Sequence, residues 1–321
     1  MNRFAAALVA LALVSPPAGA QTYPVKPVRI VVPAQPGGGL DLIGRTMADQ
    51  LGRALEQSFI VENIAGGGGA IACQTVARAT PDGYTLMVGY VATLATSPAV
   101  RKVPYDPVRD FTPVAMIGGT RNMLVVHPAL PVADVKSFIA YARDKAGSLK
   151  HGAGGIGTLT HLLMEQLKTA AGFDAITAQY RGIGPAFQDM LGGQLEAMTP
   201  GLAAALPHIR SGKVKPLAVT GLARHPLLPD VPTFEESGFK GFDGVQWYGI
   251  VGPAKMNPEV THRLSAEIGK ALASPALQQR LVAEAIEPMP MAPAQFGAYI
   301  QAELARYTAL ARERKIWLDN N

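Results

Sequence analysis

Three consecutive glycines, Gly37, Gly38 and Gly39, separate the β-branched run VRIVVP (28–33) from a stretch with helical apolar spacing. A strand, a glycine loop and a helix N-terminus together present unpaired backbone N–H groups, and the helix dipole adds to their attraction for an anion. Glycine has no Cβ, so an anion can approach the backbone closely. A tight structural turn needs the same residue types, so the loop alone does not name a ligand. A phosphate-binding P-loop would continue with Gly-Lys-Ser/Thr, whereas Leu40 and Asp41 stand here. A dinucleotide fingerprint would place its third glycine where Leu42 stands, and Gly44 comes two residues late. A second loop of the same design, GAGGIGTLTH (152–161), carries Thr158 near a helix N-terminus and His161 one turn in. Open α/β sheets bind ligands outside the carboxyl ends of their strands. Two such loops facing each other would hold one carboxylate from both sides.

The other reactive residues suggest no chemistry of bond making. There is no persuasive nucleophile–base or carboxylate pair and no G-x-S-x-G elbow. His127, His151, His161, His208, His225 and His262 lack metal-ligand spacing. The single cysteine, Cys73, excludes a disulfide framework and reads as a small buried hydrophobe. The expectation is therefore no catalytic residue, no metal and no cofactor. Charged residues make up 17% of the chain, with a net charge of +5. The basic residues are scattered, which argues against nucleic-acid binding and mildly favours anionic ligands.

The N-terminus reads as a secretory signal peptide over residues 1–20. Arg3 supplies the positive start, residues 5–14 are apolar, and Ala18-Gly19-Ala20 is a small-x-small cleavage site before Gln21. The apolar run is too short to span a bilayer of about 30 Å. The mature chain is expected to be soluble and periplasmic.

These loops need elements to position them. Apolar residues Leu40, Ile43, Met47, Leu51 and Leu55 have helical spacing, and FIVEN (59–63) and YTLMVGY (84–90) read as strands. NMLVVHP (122–128) opens a second series of alternating strands and helices, with Asp134 as an N-cap and Gly192-Gly193 as a helix stop. After WYGIVGP (247–253), only helices are expected, at 258–273, 275–284 and 293–315. Such alternation marks parallel sheets with crossover helices. The chain is expected to form lobe 1 from residues 21–125 plus 249–321 and lobe 2 from 126–248. It would cross near 124–127 and 246–250, with a hinge between the lobes and a ligand cleft there.

At this level the sequence resembles the Bug-type substrate-binding proteins of tripartite tricarboxylate transport systems. The resemblance rests on YPVKPVRIVVPxxPGGGxD (23–41), VENxxGxGG (61–69), PDGYTL (81–86) and PYDPVRDFTPVA (104–115). It continues through GxGTxxH (155–161), YxGxxPAxxDxLxGQ (180–194) and LAVTGxxRxPxLPDVPTFxExG (217–238). It implies an α/β, two-lobed, type II-like periplasmic binding protein with mainly parallel sheets. It further implies a monomeric receptor that closes on a small carboxylate, partly through ordered water, and delivers it to membrane transporter subunits. A sensory receptor, or an exported α/β hydrolase, is the alternative.

The candidate ligand-binding residues are Gln35, Pro36, Gly37, Gly38, Gly39, Asp41, Thr93, Gly155, Ile156, Gly157, Thr158, Tyr180 and Thr199. Asp41 could cap its own helix or order a water, and Thr158 could donate to the ligand or cap a helix. His161, Trp247 and Tyr248 read as structural. Leu40 and Pro200-Gly201 stand where polar residues are common in the family, and Ile64-Ala65 replaces a common Arg-Pro. Leu40, Ala70, Ala72 and Pro200 together favour a carboxylate with an apolar or aromatic body over aspartate, glutamate or citrate.

Overall fold

The computed structural model describes residues 23–313 and 316–317. The expected signal peptide, residues 1–20, lies outside the described residues. The chain begins with β1 (Val28–Val32), α1 (Gly39–Leu55), β2 (Phe59–Asn63), α2 (Ala70–Ala77) and β3 (Thr85–Tyr90). β1 is almost wholly buried, as a strand covered by helices on both faces must be. α1 buries Ile43, Met47, Leu51 and Leu55 against it, one residue per turn. A π-helical turn at Ala92–Thr96 and the short α3 (Ser97–Val100) lead to β4 (Phe111–Arg121).

One residue later the second sheet begins. Its elements are β5 (Met123–Val126), α4 (Val135–Asp144), β6 (Lys150–Ala153), α5 (Leu159–Ala171), β7 (Ile176–Gln179), α6 (Ile183–Leu191), β8 (Ala197–Met198), α7 (Leu202–Arg210) and β9 (Lys215–Val219). The chain returns through β10 (Val245–Pro253) and finishes with α8 (Pro258–Ala273), α9 (Pro275–Ala283), β11 (Glu287–Met291) and α10 (Pro293–Glu313). The strand orders are β11-β4-β10-β3-β1-β2 and β7-β6-β8-β5-β9. No helix among the described residues is long and apolar enough to cross a membrane.

The fold is α/β and two-lobed, but the sheets are mixed rather than mainly parallel. β1 pairs in parallel with β2 and β3, and β6 with β7 and β8. β5 and β10 each run antiparallel to both neighbours. These are the strands by which the chain enters one sheet from the other, so their direction follows from the crossings. The crossings differ slightly from the expected boundaries at 125/126 and 248/249. Met123, Leu124 and Val125 already pair in the second sheet, and Val245 to Tyr248 already pair in the first.

Two strands escaped the sequence patterns. β4 contains Pro113, Gly118 and Gly119, which dilute its strand signal. Gly118 is required by packing, since a Cβ there would lie 2.5 Å from Glu287 O of the neighbouring strand. β11 carries Pro288 and Pro290 and sits on the sheet edge, where proline is tolerated.

The two crossing segments are tied together. Asn122 N–H donates to Thr220 Oγ1 at 2.9 Å, and Thr220 N–H donates to Asn122 O at 2.7 Å. Asn122 Nδ2 also donates to Thr199 O, and Thr220 Oγ1 to Gly244 O, both at 2.9 Å. Trp247 is fully buried beside this junction. Its indole N–H donates to Glu303 Oε2 at 3.0 Å, and its ring meets Phe296 and Tyr299 edge-on.

Candidate functional site

The strand order brings the carboxyl ends of β1, β3, β6, β7 and β8 around one cavity between the lobes. Four helix N-termini open onto it: α1 through Gly38 and Gly39, α5 through Thr158, α6 through Gly182 and Ile183, and α7 through Gly201. Each helix N-terminus carries about half a positive charge. The remaining wall is Ala34, Gln35, Leu40, Tyr90, Gly154, Thr160 and Gln246, so no charged side chain among the described residues lines the cavity. The space is narrow, about 40 Å³ on a measure by which one buried water needs roughly 10–15 Å³. The arrangement can hold an anion by backbone dipoles without a counter-ion.

The first loop turns at Gly37, whose φ of 92° is the left-handed region that glycine tolerates. Gly38 is extended and caps α1. Asp41 faces away from the cavity. Its Oδ2 accepts from Gly37 N–H at 3.3 Å and from Arg45 Nε at 3.0 Å, and its Oδ1 accepts from Asn63 Nδ2 at 3.1 Å. Burial pushes this carboxyl up, but hydrogen bonds from Arg45, Asn63 and Gly37 outweigh it and hold the group below its ordinary value. Asp41 therefore secures the loop from behind.

The second loop is tied from within. Thr158 Oγ1 bonds Gly155 O and Thr160 Oγ1, both at 2.7 Å, and Thr160 Oγ1 accepts from Gly154 N–H at 2.9 Å. His161 lies beneath, its Nδ1 accepting from Gly157 N–H at 3.3 Å and its Nε2 3.5 Å from Glu165 Oε1. Burial raises the Glu165 carboxyl, yet His161 and Lys168 together bring it down to about 2. Burial lowers the neighbouring His151 to about 4.

The lobes touch directly. Gln35 N–H donates to Arg181 O at 2.9 Å, and Thr96 Oγ1 donates to Gly157 O at 2.7 Å. A Cβ at Gly68 would lie 2.6 Å from Ile156 O, and one at Gly184 would lie 2.6 Å from Pro36 O. Backbone meets backbone across the cleft, which describes a closed conformation.

Of the candidate residues, Gln35, Gly38, Gly39 and Thr158 line the cavity. Pro36, Gly37 and Tyr180 instead border an outer groove, where the Tyr180 hydroxyl donates to Asp189 Oδ2 at 2.5 Å. Gly155, Ile156 and Gly157 sit at the lobe-to-lobe contact with Gly68 and Ser97. Thr93 lies under Gly69 in the π-helical turn and does not line the cavity. Thr199 is buried, its hydroxyl donating to Thr160 O. Asp41, as described, is behind its loop. Sequence reasoning missed Tyr90, Gly154, Thr160, Gly182, Ile183, Gly201 and Gln246. Gly182 and Gly201 carried a legible signal, since each repeats the strand, glycine and helix order of the first two loops.

This architecture is that of the two-lobed periplasmic binding proteins. Residues 43–316 match the family model for the tripartite tricarboxylate transporter family receptor. The chain is 34% identical to Protein BugT of Bordetella pertussis over 309 residues, which is 95% of this chain and 94% of that protein. Among solved structures, R. palustris Rpa4515 with adipate superposes with a TM-score of 0.89 at 32% identity, covering 93% of this chain and 100% of that one. MatC from Rhodopseudomonas palustris with bound malate gives 0.86 at 31% identity, covering 89% and 99%. The chain belongs to the tripartite tricarboxylate transporter receptor family, whose members are solute-binding receptors.

Proposed function

We propose that this protein is a periplasmic receptor that captures a small carboxylate between its lobes and delivers it to the membrane subunits of a tripartite transporter. The convergence of four helix N-termini on a cavity that no charged side chain among the described residues lines carries the reading. A carboxylate supplies the negative charge that such dipoles lack, and glycines at Gly38 and Gly39 let its oxygens reach main-chain N–H groups. Thr158 holds the start of α5 on the opposite side, and ordered water fills remaining donor positions. The adipate and malate bound by related proteins fit the same class. Residues 1–20 act as the export signal, and the mature chain works as a monomer.

A thermal-shift screen of organic acids tests the reading. A ligand that binds only the folded chain stabilises it by about 2.7 kcal/mol at one hundred times its Kd. A saturable rise in melting temperature with a carboxylate, and recovery of that compound unchanged, is the expected result. Chemical conversion of the bound compound, or no stabilisation by any carboxylate, would overturn it.

A further inference from the structure

Resting on the carboxylate-receptor reading, we propose that Tyr90 and Gln246 read the far end of the ligand. The receptor then takes a slim monocarboxylate carrying an uncharged hydrogen-bonding group, such as a hydroxyl, in preference to a dicarboxylate.

The two residues are neighbours by sheet register. Tyr90 of β3 pairs with Tyr248 of β10, and Gln246 lies two residues before Tyr248 on the same face. Tyr248 is fully buried, accepts a hydrogen bond from Gln246 Nε2 at 2.6 Å, and stands 2.7 Å from where a Cβ on Gly39 would be. It thus fills the space beneath the start of α1 and props Gln246 at the cavity wall. Tyr248 is a positioning residue.

Tyr90 is 6% exposed and lines the cavity. Its backbone bonds Thr93 Oγ1, but its hydroxyl makes no hydrogen bond among the described residues. At the cavity wall this hydroxyl is free for a ligand, and a phenol can both donate and accept. Burial pushes its pKa up, so the proton remains available to donate. A ligand hydroxyl satisfies this group and the Gln246 amide together.

A second carboxylate has no such match. It would face a phenol and an amide, because the nearby Arg101 guanidinium does not line the cavity and is engaged by Gly67 O, and burying an incompletely compensated charge is disfavoured. The nearest helix ends offer less than their dipoles suggest. Ala203 N–H at the start of α7 already donates to Thr120 Oγ1 at 3.1 Å, and Gly182 N–H at the start of α6 donates to Gly154 O at 3.0 Å. Ala34, Leu40 and Ile183 supply the apolar sides for a short aliphatic body.

Calorimetry on the purified protein, freed of co-purified solute by unfolding and refolding, decides the matter with two matched series. One is butyrate, 4-hydroxybutyrate and succinate; the other is hexanoate, 6-hydroxyhexanoate and adipate. In at least one series the hydroxy acid should bind about tenfold more tightly than both of its partners, the scale of one added hydrogen bond. Tyr90→Phe and Gln246→Met should each remove most of that preference, so that the hydroxy acid and the plain acid bind to within about twofold of each other. A dicarboxylate or plain acid that equals or exceeds the hydroxy acid in both series overturns the proposal and leaves the carboxylate reading standing. So does a Tyr90→Phe variant that weakens every probe equally. Failure of all six probes, together with failure of the wider organic-acid screen, overturns both.

Discussion

The first glycine loop and the second share a motif and differ in what the glycines face. In the loop before α1, Gly38 and Gly39 open onto the cavity, and only Gly37 is needed for the turn. In the loop before α5, Gly155 and Gly157 face the other lobe. A Cβ on Gly155 would lie 3.0 Å from Gly68 Cα, and one on Gly157 would lie 2.9 Å from Ser97 Oγ. Their foundations differ too: Asp41 with Arg45 and Asn63 under the first, and His161 with Glu165 and Lys168 under the second. Glycine permits close approach, but the fold decides whether ligand or protein backbone does the approaching.

The sharpest test of that contrast is Gly38→Val. Its φ of −110° suits valine, so the fold should survive with a melting temperature lowered by only a few degrees. The new side chain begins 3.1 Å from Ile183 Cγ2 and enters the cavity. Carboxylate affinity should fall by at least about 100-fold, or roughly 2.7 kcal/mol, as read by calorimetry. Full affinity in a folded variant would reduce the loop to a turn.

Gly157→Val attacks closure instead. Its φ of 76° costs valine about 1–2 kcal/mol and its Cβ collides with Ser97. Affinity should fall about tenfold. Small-angle scattering should show that ligand still shrinks the native protein but not the variant. Equal compaction in both would place the lobe contact elsewhere.

Buried titratable groups near the two loops also give a pH signature. His151 is buried and its folded value, about 4, lies below the ordinary 6.5. The unfolded chain then binds a proton more readily, so stability falls as pH drops from about 6.5 towards 4. His151 should account for on the order of 2 kcal/mol of that loss. His208 and His225 are lowered by burial as well and add to the same window. The depressed Asp41 carboxyl contributes stability that is present above its unfolded value, near 3.9, and lost only at lower pH. Urea titrations at pH 7 and 5 should show the loss, and His151→Gln should reduce it; an identical slope in the variant would contradict the assignment.

The smallest effect belongs to Gly37→Ala. An added Cβ there meets nothing within 4 Å, but the backbone is left-handed. Stability should drop by about 1 kcal/mol while affinity changes less than about twofold. A large loss of affinity would mean that the outer groove, not the inner cavity, holds the ligand.

Much of this was legible in the sequence because β1, α1, α5 and the loops between them obey local rules. Periodicity placed the buried face of α1, and the glycine positions marked two of the four helix ends. Gly182 and Gly201 obey the same rule and were available to the same reading. Tyr90 and Gln246 were not, because they meet only through the pairing of β3 with β10, whose partners are separated by more than 150 residues. β4 and β11 were hidden by glycines and prolines whose fitness is set by a neighbouring strand or a sheet edge. The inward turn of Thr93 depends on a π-helical segment that carries no sequence signature here.

The most direct measurement is an electron-density map of the protein with its tightest-binding carboxylate. The oxygens should lie within about 2.7–3.2 Å of main-chain N–H groups at the start of α1 and of the α5 loop, with no Lys or Arg side chain in contact. A carboxylate resting on a cationic side chain, or lodged in the groove beside Tyr180 and Asp189, would contradict the account.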